Sequence, residues 1–240
     1  MRRILDAHPR IHCGPEVTFF RDFFEEYDGD PLAHLRFART IRSIVDEDDA
    51  LRALGAAYLR LHEVAAARAG KVRWADKSPD NAVHLEHWSS LLGDRWFYVH
   101  VVRSPLDTLA SIADAGFPRS IPASLEGRIA HYNRYASLGL DFVEQHPDRS
   151  QVVLYERLVD APAPTIHDLM GGLAEASHPS QVTFNEVAHQ PGLEDPKVTR
   201  SDTIHGESVG RWSTELDPAT ADRIRSATGR TWARAQALAG

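Results

Sequence analysis

Apolar positions along this chain fall into two periods. Ile11 to Gly14 reads as short and extended, while Lys71 to Ala75, Trp96 to Val102 and Gln151 to Tyr155 read as strands. The Trp96 to Val102 run, rich in β-branched and aromatic residues, has the pattern of a strand buried on both faces. Between these runs the spacing becomes helical. Arg2 to Ala7 reads as a helix ended by His8-Pro9, because the residue before proline is pushed out of the α region. Leu32 to Ile44 and Leu51 to Ala69 are alanine- and arginine-rich helices. In the second, Leu51, Leu54, Tyr58, Leu61 and Ala65 recur as one apolar stripe, most simply a core face. Further helices are predicted from Pro79 to about Leu92, from Pro105 onward, over Leu125 to Gln145, over Pro164 to Leu173, and from Pro218 to the C-terminal end. Ser78, Ser104 and Asp217 stand where N-caps belong, each followed by proline at the first helical position.

Strand followed by helix, three times over, predicts an α/β fold with a central parallel sheet flanked by helices. The chain is read as a single domain over 1–240, with a helical insertion at about 32–69. A long polar loop spans about 179–209, and loops of that length are usually functional or disordered.

Composition narrows the function. With 240 residues, 42% of them hydrophobic, the chain can bury a sizeable core. A net charge of −7 argues against general nucleic-acid or anionic-membrane binding, while leaving room for a local basic pocket. The lone Cys13 excludes an internal disulfide and fits a reducing compartment. No apolar run is long enough to span a membrane and no signal segment opens the chain, so the expectation is a cytoplasmic protein.

Candidate chemistry gathers where predicted strands give way to helices. Arg103 follows the Trp96 to Val102 strand and precedes a helix, with Ser111 two turns down that helix. In open α/β sheets, ligands bind at the carboxyl ends of strands, and helix N-termini favour anions. Arg103 and Ser111 therefore suit a phosphate, although a surface arginine in a connecting loop is the other reading. Lys77 occupies the same topological place after the Lys71 to Ala75 strand. Glu16 reads as a general base or as a solvated loop carboxylate. His84 and His87, three apart, come with no further metal-ligand motif.

Several segments together resemble the sulfotransferases that use 3′-phosphoadenosine 5′-phosphosulfate (PAPS), the bacterial and tyrosylprotein branches in particular. They are Leu5 to Pro9 with Cys13-Gly14-Pro15-Glu16; Val102-Arg103-Ser104-Pro105 through Ser111; Val153 to Val159; and Ser208-Val209-Gly210-Arg211-Trp212. The resemblance implies a three-layer, P-loop-like fold and transfer of a sulfuryl group to a small-molecule or peptidyl hydroxyl. It implies Glu16 as base and Lys77 as the cation that stabilises the transferring group. Arg103 and Ser111 would hold the 3′-phosphate, and Tyr155 would contact the nucleotide unless it is a strand-end core residue. Ser201 and Arg211 match late donor-contacting positions loosely. PAPS is the implied co-substrate, with no metal and no nucleic-acid partner. The histidine that soon follows the lysine in the cytosolic branch is replaced here by Ser78-Pro79, which favours Glu16 as base.

One departure concerns the start. The family places a strand and a glycine-containing phosphosulfate loop directly before the helix that here begins at Met1, and the sequence contains neither. The expectation is a start at an internal methionine of a longer reading frame, the alternative being an inactive nucleotide-binding remnant. A nucleotide or small-molecule kinase is a further alternative. It is weakened by the lack of a Gly-rich Lys-Ser/Thr loop and by Arg103 standing where a magnesium-holding aspartate would be expected.

Overall fold

A computed structural model describes residues 1–20, 40–115, 121–191 and 204–240. The chain divides into two compact units, Met1–Trp96 with Ser177–Thr203, and Phe97–Ala176 with Ile204–Gly240.

The first unit opens with α1 (Arg2–Asp6) and β1 (Ile11–Cys13), followed by α2 (Glu47–Arg68), β2 (Arg73–Ala75) and α3 (Leu85–Leu92). The α2 start is set by Asp46, whose side chain accepts from the Asp49 amide at 2.8 Å, with Glu47, Asp48 and Asp49 favourably placed in the first turn. Strands β1 and β2 are parallel, His12 standing opposite Trp74 and Cys13 opposite Ala75. Asp6, buried at the end of α1, fastens β1 by accepting the Cys13 amide at 3.0 Å. The core joins Phe20, Leu51 and Trp88, with Tyr58 and Trp74 packed against them.

Two expectations change in this unit. The stripe on α2 is rotated: Leu61 is 67% exposed, while Gly55 and Ala66 are buried and His62 is half-buried. Gly55 explains the rotation, because a Cβ there would come within 2.3 Å of the Leu91 side chain, and its absence lets α3 lie close. The segment after Lys77 is also broken in two. A short 3-10 helix, Pro79–Val83, precedes α3, with Ser78 capping it through the Asp80 amide at 3.2 Å.

The second unit contains β3 (Tyr98–Val102), α4 (Pro105–Ala115), α5 (Leu125–Gln145), β4 (Ser150–Leu154), α6 (Tyr155–Asp160), α7 (Pro162–Gly172), α8 (Trp212–Glu215) and α9 (Pro218–Leu238). Strands β3 and β4 are parallel, in register from Tyr98 opposite Ser150 to Val102 opposite Leu154. Ser124 and Asp217 cap α5 and α9 through the Gly127 and Thr220 amides. A core of Leu106, Leu109, Ile129, Tyr132, Ala136 and Ile224 joins α4, α5 and α9. The fold is α/β, its parallel strands flanked by helices and paired two by two.

Only one face of β3 is buried. Tyr98, His100 and Val102 point into the core, whereas Val101 is 40% exposed. Tyr155, expected at a strand end, begins α6 instead. Within the expected 179–209 loop, short 3-10 helices form at Pro179–Gln181 and Phe184–Glu186. The predicted 32–44 helix lies mostly outside the described residues, and Ser201 lies wholly outside them.

Candidate functional site

The two parallel pairs each end in a loop that carries a cation. In the first unit, β1 leads through Gly14-Pro15 to Glu16, and β2 leads through Asp76 to Lys77. Because β1 and β2 run side by side in the same direction, both loops emerge at the same end. There the Lys77 ammonium donates directly to Glu16 Oε2. Both side chains retain solvent access, Lys77 at 42% and Glu16 at 21%. A proton acceptor and a positive charge thus meet at one solvent-reachable point. Arg2 steadies the approach to it by donating from Nε to the Gly14 carbonyl at 2.7 Å.

In the second unit, β3 ends at Val102 and α4 begins at Pro105, so Arg103 sits in the turn between them. Its guanidinium lies 4.9 Å from the Tyr155 ring centroid, a cation–π contact, and donates to the Ser208 carbonyl. Tyr132 donates to the Arg103 carbonyl at 3.0 Å, and the Ser104 amide donates to Glu156 Oε1 at 2.7 Å. The helical repeat puts Ser104, Thr108 and Ser111 along one side of α4. Asp107, 3% exposed, accepts the Gly210 amide at 2.9 Å and the Trp212 amide at 3.1 Å. That clamp ties the 208–212 turn, in which Gly210 takes φ +79°, to the first turn of α4. Arg211, within the same turn, pairs with Glu215.

Two buried donors at this turn are unmet: Arg103 Nε and Thr108 Oγ1 make no hydrogen bond. Buried unsatisfied donors are costly, and an anionic group with several oxygens is the chemistry that satisfies them. The residues present therefore fit a phosphate. Glu156 Oε2 is also buried and unpaired; as an acceptor it works against an anion beside it. Among the described residues, no group of three or more His, Cys, Asp or Glu side chains is gathered for a metal ion. Likewise, no described helix is long and apolar enough to cross a membrane.

The structure thus brings Glu16 to Lys77, and Arg103 to Tyr155 and the 208–212 turn. Sequence reasoning missed the residues that hold them. Asp76, Asp107 and Glu156 each stand within four residues of a predicted site residue, and that proximity was the available signal. Tyr58 had no signal beyond helical spacing, which pointed to core.

A family model described as the sulfotransferase family matches residues 1–175. The chain belongs to the sulfotransferase family. Its fold is similar to the sulfotransferase domain from the curacin biosynthetic pathway, with a TM-score of 0.64 at 18% identity, covering 95% of this chain and 92% of that one. It is likewise similar to the sulfotransferase domain from the Synechococcus PCC 7002 olefin synthase, with a TM-score of 0.64 at 17% identity, covering 95% and 88%. No match emerged among curated proteins. At these identities the two domains speak for the shared fold; the sulfotransferase assignment rests on the family match.

Proposed function

We propose that this sulfotransferase moves a sulfuryl group from PAPS to a hydroxyl acceptor, either a small molecule or a peptidyl side chain. The observation that carries the reading is the contact of Glu16 with Lys77 at the common end of a parallel strand pair. Glu16 takes the proton of the acceptor hydroxyl while the acceptor oxygen forms its bond to sulfur. Lys77 meets the negative charge that grows on the bridging oxygen as the bond from sulfur to the phosphate oxygen breaks. The leaving group is 3′-phosphoadenosine 5′-phosphate. In the second unit, Arg103 and Ser111 hold the 3′-phosphate, Tyr155 contacts the nucleotide, and Arg211 contributes from the late turn. The unmet Arg103 Nε and Thr108 Oγ1 support this role. Ser201 is retained as a donor contact on the resemblance alone.

Calorimetry with 3′-phosphoadenosine 5′-phosphate tests the donor. Wild-type protein binds it, and Arg103→Ala weakens binding by about 10-fold or more, the scale of a lost charge-assisted bond of roughly 1.5–3 kcal/mol. Transfer of label from 35S-PAPS to a panel of phenols, sugars and peptides then identifies the acceptor, with Glu16→Gln as the inactive control. Equal affinity in wild type and Arg103→Ala refutes the nucleotide site.

A further inference from the structure

Tyr58 on α2 touches both loops that carry the proposed catalytic pair. Its hydroxyl donates to Asp76 Oδ2 at 2.5 Å, and Asp76 is the residue directly before Lys77. Its ring stacks on Phe19, with centroids 4.2 Å apart and planes 5° from parallel, and Phe19 follows Glu16 by three residues. One rigid side chain therefore spans from the Lys77 loop to the Glu16 loop.

The rest of the local network makes this span stiff. Asp76, whose side chain is 5% exposed, accepts Asn81 Nδ2 on its other oxygen at 2.7 Å. Asn81 Oδ1 in turn accepts the Trp88 indole N–H at 3.1 Å. His62 Nε2 stands 3.5 Å from the same Asp76 oxygen that Tyr58 uses. Burial, with the Asp76 charge adding to it, pushes the Tyr58 phenol well up from its ordinary value, so the hydroxyl remains a donor across the working range. Trp88 also packs in the core with Phe20 and Leu51, which anchors the network to the body of the unit.

We propose that Tyr58 is the positioning residue that sets the separation of Glu16 from Lys77, bonded to one loop and stacked on the other. The inference rests on the sulfuryl-transfer reading for its catalytic consequence and on geometry alone for its structural one. A proton acceptor and a stabilising cation must reach the same reacting group. A displacement of about 1 Å in such a pair costs on the order of 100-fold in rate.

The test uses Tyr58→Phe, which keeps the stacking ring and deletes the hydroxyl, and Asp76→Asn, which weakens the same bond from the other side. The first readout needs no activity: Lys77 acylation by an N-hydroxysuccinimide ester, followed by mass spectrometry, with Glu16→Gln as the reference for an unpaired lysine. Tyr58→Phe is expected to raise the Lys77 labelling rate about 3-fold or more toward the Glu16→Gln rate, as weakening of an ion-paired contact demands. The second readout is transfer kinetics: kcat falls about 10-fold or more while affinity for 3′-phosphoadenosine 5′-phosphate stays within about 2-fold, a split that general unfolding does not produce. The double variant loses less than the sum of the two single losses, because both act on the same bond.

Wild-type labelling in Tyr58→Phe overturns the proposal whatever the kinetics, and so does raised labelling with unchanged kcat. If the wild type transfers no sulfuryl group, labelling alone decides the positioning, and the sulfuryl-transfer reading falls separately.

Discussion

Acid should loosen this protein from inside β3, three residues before Arg103. His100 is 8% exposed at the middle of that strand. Its Nε2 faces the Ala136 carbonyl at 3.1 Å, so this nitrogen bears the proton, and Nδ1 then accepts from the Tyr98 hydroxyl at 2.9 Å. The neutral ring is fully satisfied. A Cβ at Gly139 would stand 2.4 Å from the imidazole, so the α5 backbone lies directly on it and leaves no room for water. Burial lowers the His100 pKa from 6.5 to about 4, against a smaller opposing pull from the Ala136 bond. Below pH 6.5 the unfolded chain binds a proton that the folded chain refuses until about pH 4. Stability is therefore complete above pH 6.5 and drains away as pH falls toward 4, by about 3 kcal/mol in all. Roughly 2 kcal/mol of that is lost between pH 7 and pH 5. Urea denaturation of wild type and His100→Gln across this range isolates the contribution, since glutamine does not titrate. The variant is less stable at pH 7, and the gap to wild type narrows by about 2 kcal/mol at pH 5. Parallel curves would refute the reasoning, because they would mean that the folded protein accommodates an imidazolium at this site.

Two further outcomes follow from buried groups. Asp107→Asn removes a carboxylate that accepts two backbone amides, and should cost about 3 kcal/mol, with hydrogen exchange at Gly210 and Trp212 accelerated more than at core amides of α5. Unchanged exchange at those two amides would rule out the clamp. Cys13 is fully buried, and its thiol is pushed up to about 12 by burial first and by the Asp76 and Asp6 carboxylates next. Native protein should therefore leave a disulfide reagent unconsumed at pH 8 and titrate one thiol after denaturation. Rapid reaction of the native protein would contradict that burial.

The sequence was most legible where a local rule decides the structure. Helix α5 runs from Leu125 to Gln145 as read, because Ser124 caps one end and His146-Pro147 stops the other. The positions of β3 and β4 follow from their β-branched residues. Legibility failed where a neighbour decides. The face that α2 buries depends on Leu91 settling over Gly55, which no count of apolar positions along α2 reveals. Tyr155 reads as the last residue of an apolar run, yet the turn into α6 starts there, and its ring lies against Arg103. For the candidate site, motif order marked Glu16, Lys77 and Arg103, and chain position marked the strand ends. It could not mark Tyr58, whose contacts join segments nearly forty residues apart on one side and eighteen on the other.

The placement of carboxylates around the two cations differs, and the difference bears on what each cation can do. Beside Arg103, Asp107 accepts the Gly210 and Trp212 amides and Glu156 accepts the Ser104 amide, so both acids bind backbone rather than the guanidinium. Among the described residues Arg103 makes no ion pair. Its charge remains available, and its Nε is an unmet donor. A cation held in this way is suited to permanent binding of an anion, where full charge gives affinity. Lys77 instead rests on Glu16, while Asp76 next to it bonds Tyr58 and Asn81. A lysine whose partner is itself a proton acceptor is arranged for a step in which that partner's charge changes. In the transfer proposed above, Glu16 takes a proton and Lys77 thereby loses its counter-charge as negative charge grows on the leaving oxygen. That coupling predicts unequal losses: Lys77→Met should lower kcat far more than donor affinity, and Arg103→Ala should do the reverse.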